Sequence, residues 1–157
     1  MTQSTQDIQD SMADIEAIKQ LKARYAMACD DSYDPEALAA MFVEDAIWDG
    51  GEFGRYEGRD AIHDYFADMH EVVEWAVHYM SNPVIEVEQE RATGRWYLWQ
   101  PMTLKADSQA ILLSAHYHDH YVKRDGQWFF QQLSLDVKFF SPYEVGFGKM
   151  QFMPLPV

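Results

Sequence analysis

The chain has 157 residues, with 26 acidic side chains against 12 basic ones and a net charge of -14. It offers no basic stripe that could release counterions from a phosphate backbone, so nucleic acid is not an expected partner. Apolar residues make up 48% and aromatics 15%, which excludes a disordered tract, and the length fits one domain, 1–157, too short for separate cofactor and substrate domains.

Residues 1–12 are polar and unpatterned and read as a flexible arm before a first helix capped near Ser11 or Asp14. Ile15, Ile18, Leu21, Tyr25 and Cys29 then recur at helical spacing as one buried stripe. Asp34-Pro35-Glu36 combines an N-cap acid with proline at the first helical position, starting a short second helix that ends near Phe42. The first helix must therefore stop between Asp30 and Tyr33. Residues 45 to 57 read as a strand, a glycine turn and a short strand, followed after Gly58 by a third helix from about Asp60 to Glu71.

Beyond Pro83 the period changes to two, giving strands over Val84 to Val87, Arg91 to Leu104, Gln109 to Lys123 and Gln127 to Phe139. Arg124-Asp125-Gly126 marks a hairpin turn. Helices first and long antiparallel strands afterwards indicate an α+β fold in which a curved sheet wraps around helices. Residues 141–157 form a tail, apolar from Phe147 onward, expected to pack on a neighbour or to cover a cavity. Cys29 is the only cysteine and has no internal disulfide partner; beside Asp30 it reads as core packing rather than a thiolate. The N-terminus lacks the basic start and apolar run of a secretory signal, and no run reaches the roughly 18 apolar residues of a spanning helix. The expectation is a cytoplasmic protein with no membrane partner.

Acid-base work near neutral pH points to the six histidines. His63 and His70 lie two turns apart among Asp64, Asp68 and Glu71 and read as surface residues. His116, His118 and His120 share one face of a strand and could chelate a metal, but that face reads as convex, so a subunit interface is preferred and no metal is expected. The opposite face, with Ile111, Leu113, Ala115, Tyr117, Asp119 and Tyr121, reads as the concave interior. His78 sits in the apolar context Trp75-Ala-Val-His-Tyr-Met, where a histidine is either tied up structurally or lines a pocket. Asp30 lies near a helix C-terminus, where the dipole disfavours a carboxylate, and pairing with His78 would compensate it and orient the ring. Tyr25 precedes Asp30 by five positions, about 140° around a helix, so it reads either as a core aromatic or as a cavity phenol if the last turn unwinds.

The segments Asp-Ile-Glu-Ala-Ile-Lys-Gln-Leu-Lys-Ala-Arg-Tyr (14 to 25), Asp30, Phe-Val-Glu-Asp-Ala (42 to 46), Gly58, Val-His-Tyr (77 to 79) and Tyr-Val-Lys-Arg-Asp-Gly-Gln-Trp (121 to 128) together resemble the SnoaL-like branch of the nuclear transport factor 2-like superfamily. Within it the nearest likeness is to bile acid 7α-dehydratase, on Ala-Thr-Gly-Arg-Trp-Tyr-Leu (92 to 98) and Asp-Gly-Gln-Trp (125 to 128), with scytalone dehydratase and hexachlorocyclohexane dehydrochlorinase as further likenesses. The resemblance implies a cone-shaped α+β barrel with a deep apolar pocket, often a homotrimer, performing eliminations without metal or organic cofactor. It implies catalytic roles for Asp30 and His78, and for Tyr25 a task on either the carbonyl or the leaving oxygen. Where the bile acid enzyme carries a pocket Asp and a late Arg, this chain has Gln100 and Lys138, which with Trp48 and Tyr117 are expected to contact substrate. The aromatic residues Trp48, Phe66, Trp96, Tyr97, Trp99 and Tyr117 suit a flat, steroid-like ligand or are simply core. The expected function is a dehydratase acting on a hydroxylated hydrophobic ketone. A ketosteroid-type isomerase, a dehydrohalogenase using the same pair, and a non-catalytic binding domain are the alternatives.

Overall fold

The computed structural model describes residues 4–156. Helix α1, Thr5–Asp30, is followed by α2, Pro35–Ala39, and then by β1, Phe42–Asp49, a 3-10 turn, Gly51–Phe53, and β2, Arg55–Glu57. Helix α3, Arg59–Val72, leads into β3, Val73–Ala76, and β4, Tyr79–Glu88. The long strands β5, Arg91–Leu104, β6, Gln109–Arg124, and β7, Gln127–Pro142, complete the chain's regular structure. Among the described residues no helix is long and apolar enough to cross a membrane.

The strands form one sheet in the order β2-β1-β7-β6-β5-β3, with β4 also paired to β5. All pairings are antiparallel except β1 with β7. The β6–β7 hairpin closes through Asp125 and Gly126 at φ 50° and 80°, the left-handed pair a two-residue turn needs to match strand twist. The alternation runs unbroken through β5 and through β6 as far as Tyr121, after which Val122 is buried as well. Trp96, Leu98, Gln100, Met102, Ile111, Leu113, Ala115, Tyr117, Asp119 and Tyr121 face the helices, while Tyr97, Trp99, His118 and His120 face outward. Apolar side chains on the inner face close over Ile18, Leu21 and Tyr25 of α1 and Ile62, Tyr65 and Phe66 of α3. The result is the curled α+β half-barrel that the pattern predicts.

Three expectations need correction. Residues 1–3 of the expected arm lie outside the described residues, and residues 5–12 are helical. Ser4 caps α1 through a reciprocal pair with Asp7, and this solvated cap, rather than Ser11 or Asp14, sets the start. Between α3 and the long strands lies the short strand β3, which pairs with residues 102–104 of β5. Lys138, expected in the pocket, is exposed and pairs with Asp136. The register shift that sets Ala115 against Val137 and Ser114 against Phe139 leaves Lys138 as the extra residue of a bulge.

Candidate functional site

The site is built where two strands share one edge of β5. β3 covers the 102–104 end and β4 the 91–99 end, so Val77 and His78 lie at the seam, where Val77 N–H donates to Pro101 O at 3.1 Å. Across the seam α1 ends at Asp30. One carboxylate oxygen, Oδ1, accepts from the His78 backbone N–H at 2.9 Å and from its ring Nδ1 at 2.7 Å. The structure thus brings Asp30 and His78 together, and supplies the compensation that a carboxylate at a helix C-terminus requires. Because a carboxylate only accepts, Nδ1 carries the hydrogen and the lone pair lies on Nε2. Among the described residues Nε2 has no hydrogen-bond partner, and His78 lines a cavity on the inner face of the sheet.

That cavity has a volume of about 260 Å³ and a wall of aromatic and aliphatic side chains, with Asp68, His78 and Gln100 among them. Tyr25, Trp48, Gln100 and Tyr117, all expected at the site, line it, as do Tyr33, Tyr65 and Phe66. Of the other aromatics named from sequence, Trp96 is buried elsewhere with its N–H on Tyr121, and Tyr97 and Trp99 lie on the outer face. Leu155 and Pro156 complete the wall, so the tail covers the cavity. It is tied down by the Phe140–Phe152 bridge and by Met153 N–H on Phe140 O at 2.9 Å.

The polar groups in this apolar chamber are few and directional. Trp48 Nε1 donates to the Tyr25 hydroxyl at 3.0 Å, and since an indole N–H only donates, the phenol oxygen is the acceptor in this bond. Burial pushes the phenols of Tyr25, Tyr33 and Tyr117 well above their ordinary range, so they stay protonated donors. Burial lowers the His78 imidazole below its usual value, against the opposing pull of Asp30, and so favours the neutral base. Burial likewise raises the Cys29 thiol, as its reading as core predicts.

Sequence reasoning missed two groups. Lys22 is fully buried, its ammonium 2.7 Å from Asp119 Oδ2 and 3.4 Å above the Tyr117 ring, just behind the cavity wall. Its position four after Ile18 and three before Tyr25 puts it on the apolar stripe, a signal that was there to be read. Tyr33 is the second; its ring meets His78 edge-on at 5.8 Å. No group of three metal-ligating side chains is brought together among the described residues, and His118 and His120 point outward.

A helix-filled curled sheet enclosing an apolar chamber is the nuclear transport factor 2-like fold. Within it the chain belongs to the SnoaL-like domain family, whose model matches residues 10–134. The gamma-hexachlorocyclohexane dehydrochlorinase of Sphingobium indicum is 27% identical over 139 residues, 85% of this chain and 86% of the relative. The solved hexachlorocyclohexane dehydrochlorinase of Novosphingobium barchaimii is 26% identical with a TM-score of 0.78, covering 93% of this chain and 98% of that one. A structure described as a candidate scytalone dehydratase of Novosphingobium aromaticivorans is 27% identical with a TM-score of 0.79, covering 85% and 89%.

Proposed function

We propose that this protein is a lyase in which neutral His78, held by Asp30, removes a proton from carbon and a group on the neighbouring carbon leaves. The observation that carries this reading is the 2.7 Å Asp30–His78 pair on the wall of an apolar chamber. The proton passes to His78 Nε2, the C–H electron pair becomes the new C=C bond, and the leaving group departs with the electrons of its own bond. If that group is hydroxide, it takes the proton from the imidazolium and leaves as water, which returns His78 to its neutral form, with Tyr25 placed to hydrogen-bond an oxygen of the substrate. The Asp30 carboxylate stabilises the imidazolium formed on the way. Base, orienting acid and O–H donors all come from the chain, so the reaction as proposed requires neither metal nor organic cofactor.

Dehydration of a hydroxylated hydrophobic ketone is the first reading. The dehydrochlorinase relatives favour a second, loss of halide through the same base. The chamber, at about 260 Å³, falls just under the usual span of roughly 300–1,000 Å³ for ligand pockets, which supports a substrate of one or two rings rather than a full steroid. We further propose a homo-oligomer, with a trimer favoured, assembled through the aromatic outer face.

His78→Ala and Asp30→Ala are each expected to lower turnover of a cyclic β-hydroxy ketone by about a hundredfold to ten-thousandfold while circular dichroism stays unchanged. Mass analysis separates loss of water from isomerisation, and chloride release from gamma-hexachlorocyclohexane reports the halide reaction. Full activity in both variants would sink the pair.

A further inference from the structure

We propose that Tyr33 is a hydrogen-bond donor to a substrate oxygen and that Gln100 positions its hydroxyl, so the chamber takes a hydroxylated or carbonyl-bearing compound rather than a purely halogenated hydrocarbon. This rests on the elimination reading and names its substrate class.

The backbone goes out of its way to put this phenol in the cavity. Helix α1 closes with Tyr33 N–H on Cys29 O at 3.1 Å and Asp34 N–H on Ala28 O at 3.2 Å, which turns the chain back over the helix end. Ser32 and Tyr33 sit at φ 56° and 54°, a left-handed conformation that is uncommon for non-glycine residues and a clear outlier for one with a bulky ring. Such a conformation persists only where the surroundings over-determine it. Here His70 Nδ1 donates to Ser32 O at 2.7 Å, and the Tyr33 ring stacks on Phe66 at 6.2 Å and 17°. The outcome is a buried phenol beside the base.

Hydrogen-bond bookkeeping then fixes what that phenol offers. The Gln100 amide nitrogen faces the Tyr33 hydroxyl at 3.3 Å and the Met102 sulfur at 3.4 Å. A thioether sulfur can only accept, so the amide is oriented with its NH2 toward both, and the Tyr33 oxygen is the acceptor. The Tyr33 proton is consequently unspent: among the described residues its hydroxyl donates to no protein group. Gln100 therefore acts through Tyr33. The proton sits in a wall that is apolar and aromatic apart from Asp68, Gln100, His78 and the other tyrosine hydroxyls, and it lies next to His78, where an oxygen gaining negative charge during proton removal would accept it. A carbon-bound chlorine is a poor acceptor and would leave the donor without a partner.

The test uses the full chain and 4-nitrophenol, whose phenolate is a stand-in for a substrate oxygen bearing negative charge and is read by its own absorbance. Wild type is expected to bind it with an increased phenolate fraction, and Tyr33→Phe to bind at least about tenfold more weakly with its thermal transition within a few degrees of wild type. Gln100→Leu should weaken binding in the wild-type background and add nothing in the Tyr33→Phe background, a coupling that a merely structural role would not produce. Absence of phenolate binding by wild type, equal binding by Tyr33→Phe, or additive losses in the double variant would each overturn the proposal. Because binding needs no turnover, these outcomes are separate from failure of the His78–Asp30 pair, which the kinetics of His78→Ala and Asp30→Ala report.

Discussion

At His78 the balance between burial and the Asp30 carboxylate sets a measurable pH signature. Burial is the larger influence and holds the imidazole below its ordinary 6.5, so the neutral base persists into mildly acidic solution. The acid limb of kcat/KM should therefore lie below pH 6.5, and Asp30→Asn should move it lower still while reducing the plateau. A wild-type limb above 6.5 would contradict a buried base. Folding responds with a definite sign. The folded chain binds this proton less readily than the unfolded chain, so the destabilising contribution is absent well above pH 6.5 and grows as pH falls from there through the lowered folded value. Legibility was uneven at this scale. Asp30 and His78 could be read from chemical complementarity, but Tyr33 could not, because its position depends on two left-handed residues with no glycine to announce them. Lys138 misled because it was placed by its match to the late Arg of the bile acid enzyme, and such a match does not show the bulge that turns it outward here.

Among the elements, α1 and β6 are clamped by the Lys22–Asp119 ion pair, which Tyr121 extends by donating to Asp119 Oδ2 at 2.7 Å. Burial lowers the lysine and raises the aspartate, and among the described residues Asp119 Oδ1 has no hydrogen-bond partner. Removing one partner strands the other away from water. Lys22→Met is expected to destabilise the fold by about 3–5 kcal/mol in urea unfolding, and adding Asp119→Leu to regain most of it. A single variant within 1 kcal/mol of wild type, on the order of an exposed pair, would contradict the clamp. The three long strands were legible to within a few residues because apolar alternation and the Asp-Gly turn agree. β3 was not, since it follows α3 directly with no turn residue to separate them, and the exposed first turns of α1 carry no apolar pattern to reveal a helix.

Across the whole molecule, the sheet's outer face carries an aromatic run. Tyr97 stacks on His116 at 4.3 Å, Trp99 meets Phe139 edge-on at 5.7 Å, and Phe139 stacks on Phe147 at 4.5 Å. Tyr79, Tyr97, Trp99 and Phe147 are each more than 40% exposed, which is unusual for large rings on a chain this highly charged. Sedimentation velocity is expected to show a trimer that Trp99→Lys shifts toward monomer; a monomeric wild type would refute assembly through this face. The chamber lies against the opposite, inner face of the sheet, away from this aromatic run.

The single Asp30 oxygen that accepts from both the ring and the amide of His78 makes the two residues unequal in descent. Exchange of His78 abolishes the base yet leaves its amide bonded to the helix end, so the chain path across the seam survives. Exchange of Asp30 releases ring and backbone together. A lineage abandoning this chemistry would therefore find it easier to lose the histidine first, and would retain for some time an aspartate with nothing left to orient.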